Sequence, residues 1–595
     1  MSGWLPALVG AGFYVAFIDR TLFGVDGQRF SSLFDDAMVS MRYARHLATG
    51  QGLVWNPGEA PVEGYTNLLW TLWMAFLHWV GIPERLVSLV VMVSGALLLV
   101  GTVATVGAVA RRLSPADGRV AAAATWFVAF SYPLAFWSLR GMEVGLLALL
   151  VTAAVLVVLR WQESGSGSDL LLLACLLLLG MLTRTDAVVP ATVLAMAGVA
   201  AAPRRRRLRV AAVLAGTLVV TLVAHTGFRV IYYGDALPNT YYLKMEGVAL
   251  TTRLARGGLA AADTFVQLAL PMVLAVGGLL ARRRRPGADL LPDHPAGTGA
   301  LGELTLAGIV LGQFAYSAYV GGDAWEWMRY PNRYVAVSLP ALAVLAGFGI
   351  RRLLTPGQRS WRWWPVAGGV AALAWIDPAR RFAAAGFALR ASETDWISEL
   401  QPSVAIGASM IVVVAASAAG RRAVAGRPRG SHRALVFGVV AVAIWSSSGF
   451  AAIDWVRTGG YHVSDDVRMA RLGLAVKAAT DPEASVAVTW AGALPYFSQR
   501  PAVDLLGKSD RRIATMAAVA DGFRPGHAKV DHGYSVGRLR PDLVAQVWGG
   551  STGLRDRLRS WGYVEVDGMW VRAGSAHVDV GRLARELAAV RRAGR

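Results

Sequence analysis

The sequence predicts a polytopic α-helical membrane protein that ends in a small α/β domain. Three observations predict it. Hydrophobic residues make up 55% of 595 positions and charged residues 16%, with mean hydropathy +0.45, the balance of a chain solvated by lipid. Apolar runs long enough to span a bilayer recur up to about residue 453. Beyond it the pattern changes to short alternating strands and helices.

The runs fall at 4–20, 86–110, 119–138, 143–160, 169–183, 187–202, 210–230, 263–281, 301–320, 334–350, 361–376, 403–420 and 434–452. This gives about thirteen spans. The first run has no basic leader before it and reads as an uncleaved span. The run 68–80 is short and rich in Trp, and reads as an interfacial helix. With that assignment and a cytoplasmic start, most Arg clusters share one side. They are Arg111, Arg112, Arg119, Arg160, Arg204–Arg207, Arg282–Arg285, Arg351, Arg352, Arg421, Arg422, Arg427 and Arg429. The exceptions are Arg380, Arg381 and Arg390. Orientation by basic loops puts the clusters in the cytoplasm and the C-terminal domain outside, in a multi-pass protein of the plasma membrane. The net charge of +20 is therefore topological, and nucleic acid is excluded as a partner. Cys175 is the only cysteine, so neither an intrachain disulfide nor a CxxC metal site exists.

The expected domains are a transmembrane domain over 1–453, with a first extracytoplasmic loop at 30–82, and an α/β domain over 454–595. In the latter, strands are predicted at Ala484–Val488, Ala502–Leu506, Leu543–Val547, Tyr563–Val566 and Met569–Val571, with helices at 509–520 and 577–593. No solenoid or transporter repeat is visible.

The first loop carries the strongest chemical signal. Asp35 and Asp36 precede a helical pattern with Met38, Met41, Ala44 and Leu47 on one face and Arg42, Arg45 and His46 on another. One acid could cap that helix; two acids beside a bilayer suggest chemistry. A carboxylate there could deprotonate a hydroxyl or ligate a divalent metal, though no spacing demands a metal. The loop that follows holds Glu59, Glu63 and GYTN at 64–67, and Glu63, Tyr65 and Asn67 are assigned to substrate binding. Glu143 in LRGMEVG either favours a helix N-terminus by charge or joins the site. Arg184 and Asp186 in LTRTD either pair with each other or meet substrate.

Two further loops collect on the predicted outer side. IYYGDALPNTYYLK offers Asn239, Tyr241 and Lys244, its one cation, for substrate and phosphate. GGDAWEWMRYPNRY offers Asp323, Arg329 and Arg333, and guanidinium groups suit phosphate; the alternative is pairing with Asp323 or Glu326. In the tail, His527 sits with Lys529, Asp531 and His532. That cluster reads as a solvated loop, with acceptor binding as the alternative.

These motifs, in this order over about 350 residues, resemble the GT-C membrane glycosyltransferases, and within them the actinobacterial terminal arabinofuranosyltransferases. The resemblance implies a helical bundle with an extracytoplasmic α/β tail. It implies catalytic acids at Asp35 or Asp36 and at Glu143, and a polyprenyl-phosphate arabinose donor. The acceptor it implies is a cell-envelope arabinan. Alternatives are transfer of another prenyl-linked sugar, or a lipid-linked glycan flippase. A flippase should hold ionisable residues at mid-membrane, whereas here they gather at one face. Oligomeric state is not legible.

Overall fold

A computed structural model describes residues 4–282, 298–326, 331–353, 429–518, 523–547 and 553–593. The spans expected at 361–376 and 403–420 lie outside these, as do Arg329, the Arg residues from 283 to 285, Arg380, Arg381, Arg390, Arg421, Arg422 and Arg427.

Helix α1 (Leu5–Asp19) is followed by a hairpin, β1 (Leu22–Val25) and β2 (Gln28–Ser31). Asp26 and Gly27 turn it, both at positive φ, the conformation that favours Asp-Gly in a two-residue turn. No strand was expected here. Four-residue strands, one containing Gly24, carry too little alternation to read.

The bundle continues with α2 (Asp35–Ala48), α3 (Leu68–Trp79), α4 (Glu84–Leu113), α5 (Gly118–Ala129), α6 (Tyr132–Leu139), α7 (Val144–Ser164), α8 (Gly167–Thr183), α9 (Val188–Ala201) and α10 (Arg207–Tyr233). Next come α11 (Asn239–Met245), α12 (Leu250–Gln267), α13 (Ala269–Arg282), α14 (Thr298–Tyr319), α15 (Arg333–Ala336), α16 (Leu339–Leu353) and α17 (Arg429–Thr458). The core forms where α4 packs on α5 and α7, and α16 on α5 and α13.

Among the described residues, three helices are long and apolar enough to cross a membrane, or six if each bent pair is one span. The bent pairs are α5 with α6, at 47°, α12 with α13, at 86°, and the two halves of α17, at 70°. The run expected at 263–281 is therefore not one rod. Its first residues belong to α12, which meets α13 at 86° and whose Arg256 donates to the carbonyls of Gly321 and Asp323 and to Glu326.

The Arg clusters that the structure describes meet at one end of the bundle. Arg112 bonds Glu163 at 2.5 Å, Arg160 pairs with Asp169 at 2.9 Å, and Arg351 donates to Ser114 at 3.0 Å. Helix α4, with 30 residues, is about 45 Å long. Its far end, at Glu84, accepts a bond from Gln499 of the tail.

The tail contains α18 (Val463–Ala479), β3 (Val486–Val488), α19 (Ala493–Ser498), β4 (Ala502–Asp504), α20 (Arg511–Ala514), β5 (Leu543–Val544), α21 (Leu554–Ser560), β6 (Tyr563–Val566), β7 (Met569–Arg572) and α22 (Val580–Ala593). The strands form one sheet in the order β4-β3-β5-β7-β6, parallel at β4-β3-β5 and antiparallel at β5-β7-β6. All five expected strands are present, three of them shorter. The helix expected at 509–520 is only the single turn α20, capped by the Asp510 carboxylate on the Ile513 N–H at 3.0 Å.

The polar face of α2 departs from the amphipathic expectation. Arg42 is 1% exposed. Its guanidinium donates to Trp55 O, Pro495 O, Asn56 Oδ1 and Arg500 O at 2.5–2.9 Å, and Arg45 donates to Tyr496 O at 2.6 Å. The tail covers this face in place of water. A second lock is the buried pair Arg140–Asp466 at 2.5 Å, between the end of α6 and α18.

Candidate active site

A cavity of about 480 Å³ lies between the bundle end and the tail. Asp35, Asp36, Tyr65, Asn67, Glu143, Arg184, Asp186, Tyr241, Lys244, Arg333 and His527 all line it. Eleven residues singled out from the sequence thus come together from six separate stretches of chain. Glu63, Asn239 and Asp323 are not in its wall.

Neither adjacent acid caps α2, whose first turn has no side-chain cap. Asp35 instead accepts the backbone N–H groups of Gly492 and Ala493 at 3.1 and 3.0 Å, where α19 begins. A side chain on Gly492 would overlap the Asp35 carbonyl oxygen, so the approach requires glycine. Burial pushes the Asp35 carboxyl up to about 6, although the Ala493 N–H and Lys508 oppose the shift. Asp36 behaves oppositely. Burial would raise it, but Lys508 on one oxygen and Arg333 on the other, at 2.7 Å, hold it well below the usual carboxylate range. Two neighbouring aspartates therefore have separate protonation states. With cations on both oxygens, Asp36 is not arranged as a metal ligand.

Arg333 is shared. It also grips Asp323 through two bonds of 2.8 and 3.0 Å, so the pairing read from the sequence is present while the guanidinium still lines the cavity. Glu143 is fully buried and accepts Arg184 at 2.6 Å and Asn67 at 2.8 Å. Asn67 in turn accepts Ser40 at 2.8 Å. Arg184 reaches Asp186 through bonds of 2.9 and 2.7 Å. The ring of Tyr334 gathers three cations: Arg184 at 5.4 Å, Lys244 at 5.8 Å and Arg333 at 6.0 Å from its centroid. Lys244 Nζ also donates to the Tyr334 hydroxyl at 3.1 Å. Cations held near one aromatic face present a positive pocket to an anion.

The three residues outside the wall support it. Glu63 forms a buried pair with Arg229 of α10, at 2.7 Å, and Arg229 also holds Thr185. Asn239 donates to the carbonyls of Gly507 and Lys508 at 2.9 Å each, and Asp323 fixes Arg333. Tyr65 is buried and accepts from Tyr233 at 3.1 Å. His527 lies in the wall near Trp325, at 5.9 Å between ring centroids, and not in a solvated loop. Its imidazole is pushed down to about 3 by burial and by Arg524.

Lys508, Arg229 and Tyr334 were not singled out from the sequence. Arg229 had a signal, an ionisable residue within the apolar run 210–230. Lys508 had only its place in LLGKSD, and no local pattern links it to Asp36, 472 residues away.

A family described as Domain of unknown function (DUF8728) matches residues 459–578. The chain is 28% identical over 361 residues to a terminal β-(1→2)-arabinofuranosyltransferase of Mycobacterium tuberculosis strain ATCC 25618 / H37Rv, covering 56% of this chain and 55% of that protein. It thus spans about half the length of this curated relative. Its fold is similar to the crystal structure of ArnT from Cupriavidus metallidurans bound to undecaprenyl phosphate. The TM-score is 0.50 at 14% identity, covering 84% of this chain and 85% of that one. An Archaeoglobus fulgidus oligosaccharyltransferase structure aligns with TM-score 0.46 at 12% identity over 84% of this chain and 64% of that one. The resemblance carried by the motifs is matched by the named mycobacterial relative, and the fold is similar to that of ArnT.

Proposed function

We propose that the chain is a membrane glycosyltransferase. It moves a sugar, arabinofuranose, from a polyprenyl-phosphate donor to a glycan acceptor of the cell envelope. The observation that carries this reading is the shared cavity: Arg184, Lys244 and Arg333 surround Tyr334 in the same space that Asp35 faces. The cations suit a phosphate, and a carboxylate with its pKa raised towards neutrality suits a general base. Asp35 takes the proton of the acceptor hydroxyl as that oxygen bonds the anomeric carbon. The bond from that carbon to the phosphate breaks, and its electron pair stays on the prenyl phosphate. Asp36 stays ionised and organises cations.

The ArnT structure holds undecaprenyl phosphate, which supports a prenyl-phosphate donor here. The mycobacterial relative is named for arabinofuranose transfer, which supports the sugar. The basic end of the bundle lies opposite the cavity, which supports a cytoplasmic N-terminus and an extracytoplasmic tail. Clustering of the acids at the cavity end argues against a flippase with mid-membrane charges.

The test is purified protein with a panel of prenyl-phosphate sugars and short glycan acceptors, followed by linkage analysis. Transfer of arabinofuranose is expected. Asp35→Asn should lower turnover about a hundredfold or more while prenyl-phosphate binding persists. Absence of transfer from every donor, or full turnover by Asp35→Asn, would overturn the reading.

A further inference from the structure

We propose that Lys508, carried by the tail, is a catalytic cation: it leaves Asp36 and neutralises the second negative charge that forms on the phosphate as the sugar departs. This rests on the glycosyl-transfer reading above. It gives the domain matched only as one of unknown function a part in the chemistry itself.

The argument begins with charge. A prenyl-phosphate sugar is a phosphodiester with one negative charge. The leaving prenyl phosphate is a monoester, whose second ionisation lies near neutrality, about 6. Cleavage thus adds charge at one oxygen while the acceptor proton goes to Asp35. Two of the cations around Tyr334 already have carboxylate partners: Arg184 has Glu143 and Asp186, and Arg333 has Asp36 and Asp323; Lys244, which donates to the Tyr334 hydroxyl, is left to hold the single charge of the donor diester. Asp36 is different, since it holds two cations. It can release Lys508 and keep Arg333, so no buried carboxylate is stranded. A lysine suits the exchange, being a flexible point charge with three donors. Lys508 lines the same cavity as Lys244 and Tyr334.

The backbone that carries Lys508 is held from both domains. The buried Asp504 carboxylate accepts the N–H groups of Leu506, Gly507 and Ser509 at 3.0, 3.1 and 2.7 Å. From the bundle side, Asn239 holds the carbonyls of Gly507 and Lys508. Gly507 has φ 79°, and a side chain there would meet Ile513. A solvated surface lysine has no need of such a frame. Here the main chain is fixed and the side chain is left to move between two anions.

The test compares two probes on the full chain in detergent at pH 8: farnesyl phosphate, a monoester, and methyl farnesyl phosphate, a diester. Wild type should bind the monoester more tightly. Lys508→Met should shrink that preference about tenfold, the loss of one charge-assisted bond, with diester affinity and thermal midpoint little changed. Its kcat should fall about a hundredfold at nearly constant donor KM, and Lys508→Arg should recover part of it. An unchanged monoester preference in Lys508→Met overturns the proposal and leaves the glycosyl-transfer reading standing. So does an equal loss for both probes with a lowered thermal midpoint, which marks a structural role. If wild type binds neither probe, the reading beneath the proposal fails as well.

Discussion

If Asp35 removes the acceptor proton, its titration must govern the rate. Burial sets that carboxyl at about 6, and it must be ionised to act as base. One pH unit below this value about one carboxyl in eleven is charged, and two units below about one in a hundred. The log of kcat/KM should therefore climb with unit slope from pH 4.5, bend near pH 6 and stay level to pH 8. Two other titratable groups of the cavity stay out of the limb. Asp36 is held ionised by Lys508 and Arg333 throughout this range. His527, pushed down to about 3, stays neutral, and a phosphodiester donor does not titrate there. Initial rates with a labelled donor in detergent give the profile. A rate that falls as pH rises through 6 would mean that protonated Asp35 is the active form; a level profile down to pH 4.5 would remove Asp35 from the rate. Thermal stability supplies an independent sign. The folded carboxyl ionises at higher pH than the unfolded one, so its contribution to stability declines between about pH 4 and 6. Asp35→Asn should be at least as heat-stable as wild type at pH 7 and gain nothing at pH 4.

Three further perturbations test the frame. Arg333→Ala strands the buried Asp323, whose side chain is 1% exposed. It should cost about 3–5 kcal/mol, seen as a lower thermal midpoint. Adding Asp323→Ala should restore the midpoint without restoring turnover. Arg140→Met leaves Asp466 buried and unpaired between bundle and tail. It should cost a similar ~3–5 kcal/mol and speed tryptic release of the tail, with Asp466→Asn relieving both. Lys244→Met should raise donor KM about tenfold and change kcat far less; an unaltered KM would remove Lys244 from the phosphate site.

What could be read from the sequence was local. Apolar runs and the Asp35–Asp36 pair each fit within one window: the runs inside the described residues are helical, and both aspartates line the cavity. Contacts across the chain were hidden. The pattern of α2 announced a polar face with Arg42 and Arg45, but periodicity cannot say whether water or protein covers it. Glu63 and Asp323 were visible as acids in unusual loops. Their partners, Arg229 and Arg333, decide that they support the wall and do not line it. Residues 263–281 looked like one span because hydropathy is blind to the turn at Leu268. The tail showed its strands, whose β-branched runs are short and distinct. It concealed α18, where Asp465, Asp466 and Arg468 dilute the apolar signal.

The seating of α2 has a consequence for biogenesis. Arg42 finds two of its acceptors on Pro495 and Arg500, the farther one 458 positions later. At about 5–20 residues per second, a ribosome needs roughly half a minute to a minute and a half to make that interval. Until the tail has been made and has folded against it, the helix bearing both aspartates carries guanidinium groups without their final acceptors. The segment that carries both aspartates is thus made well before its final contacts, and a nascent chain halted before Pro495 would display an unfinished surface to proteases and chaperones at the membrane.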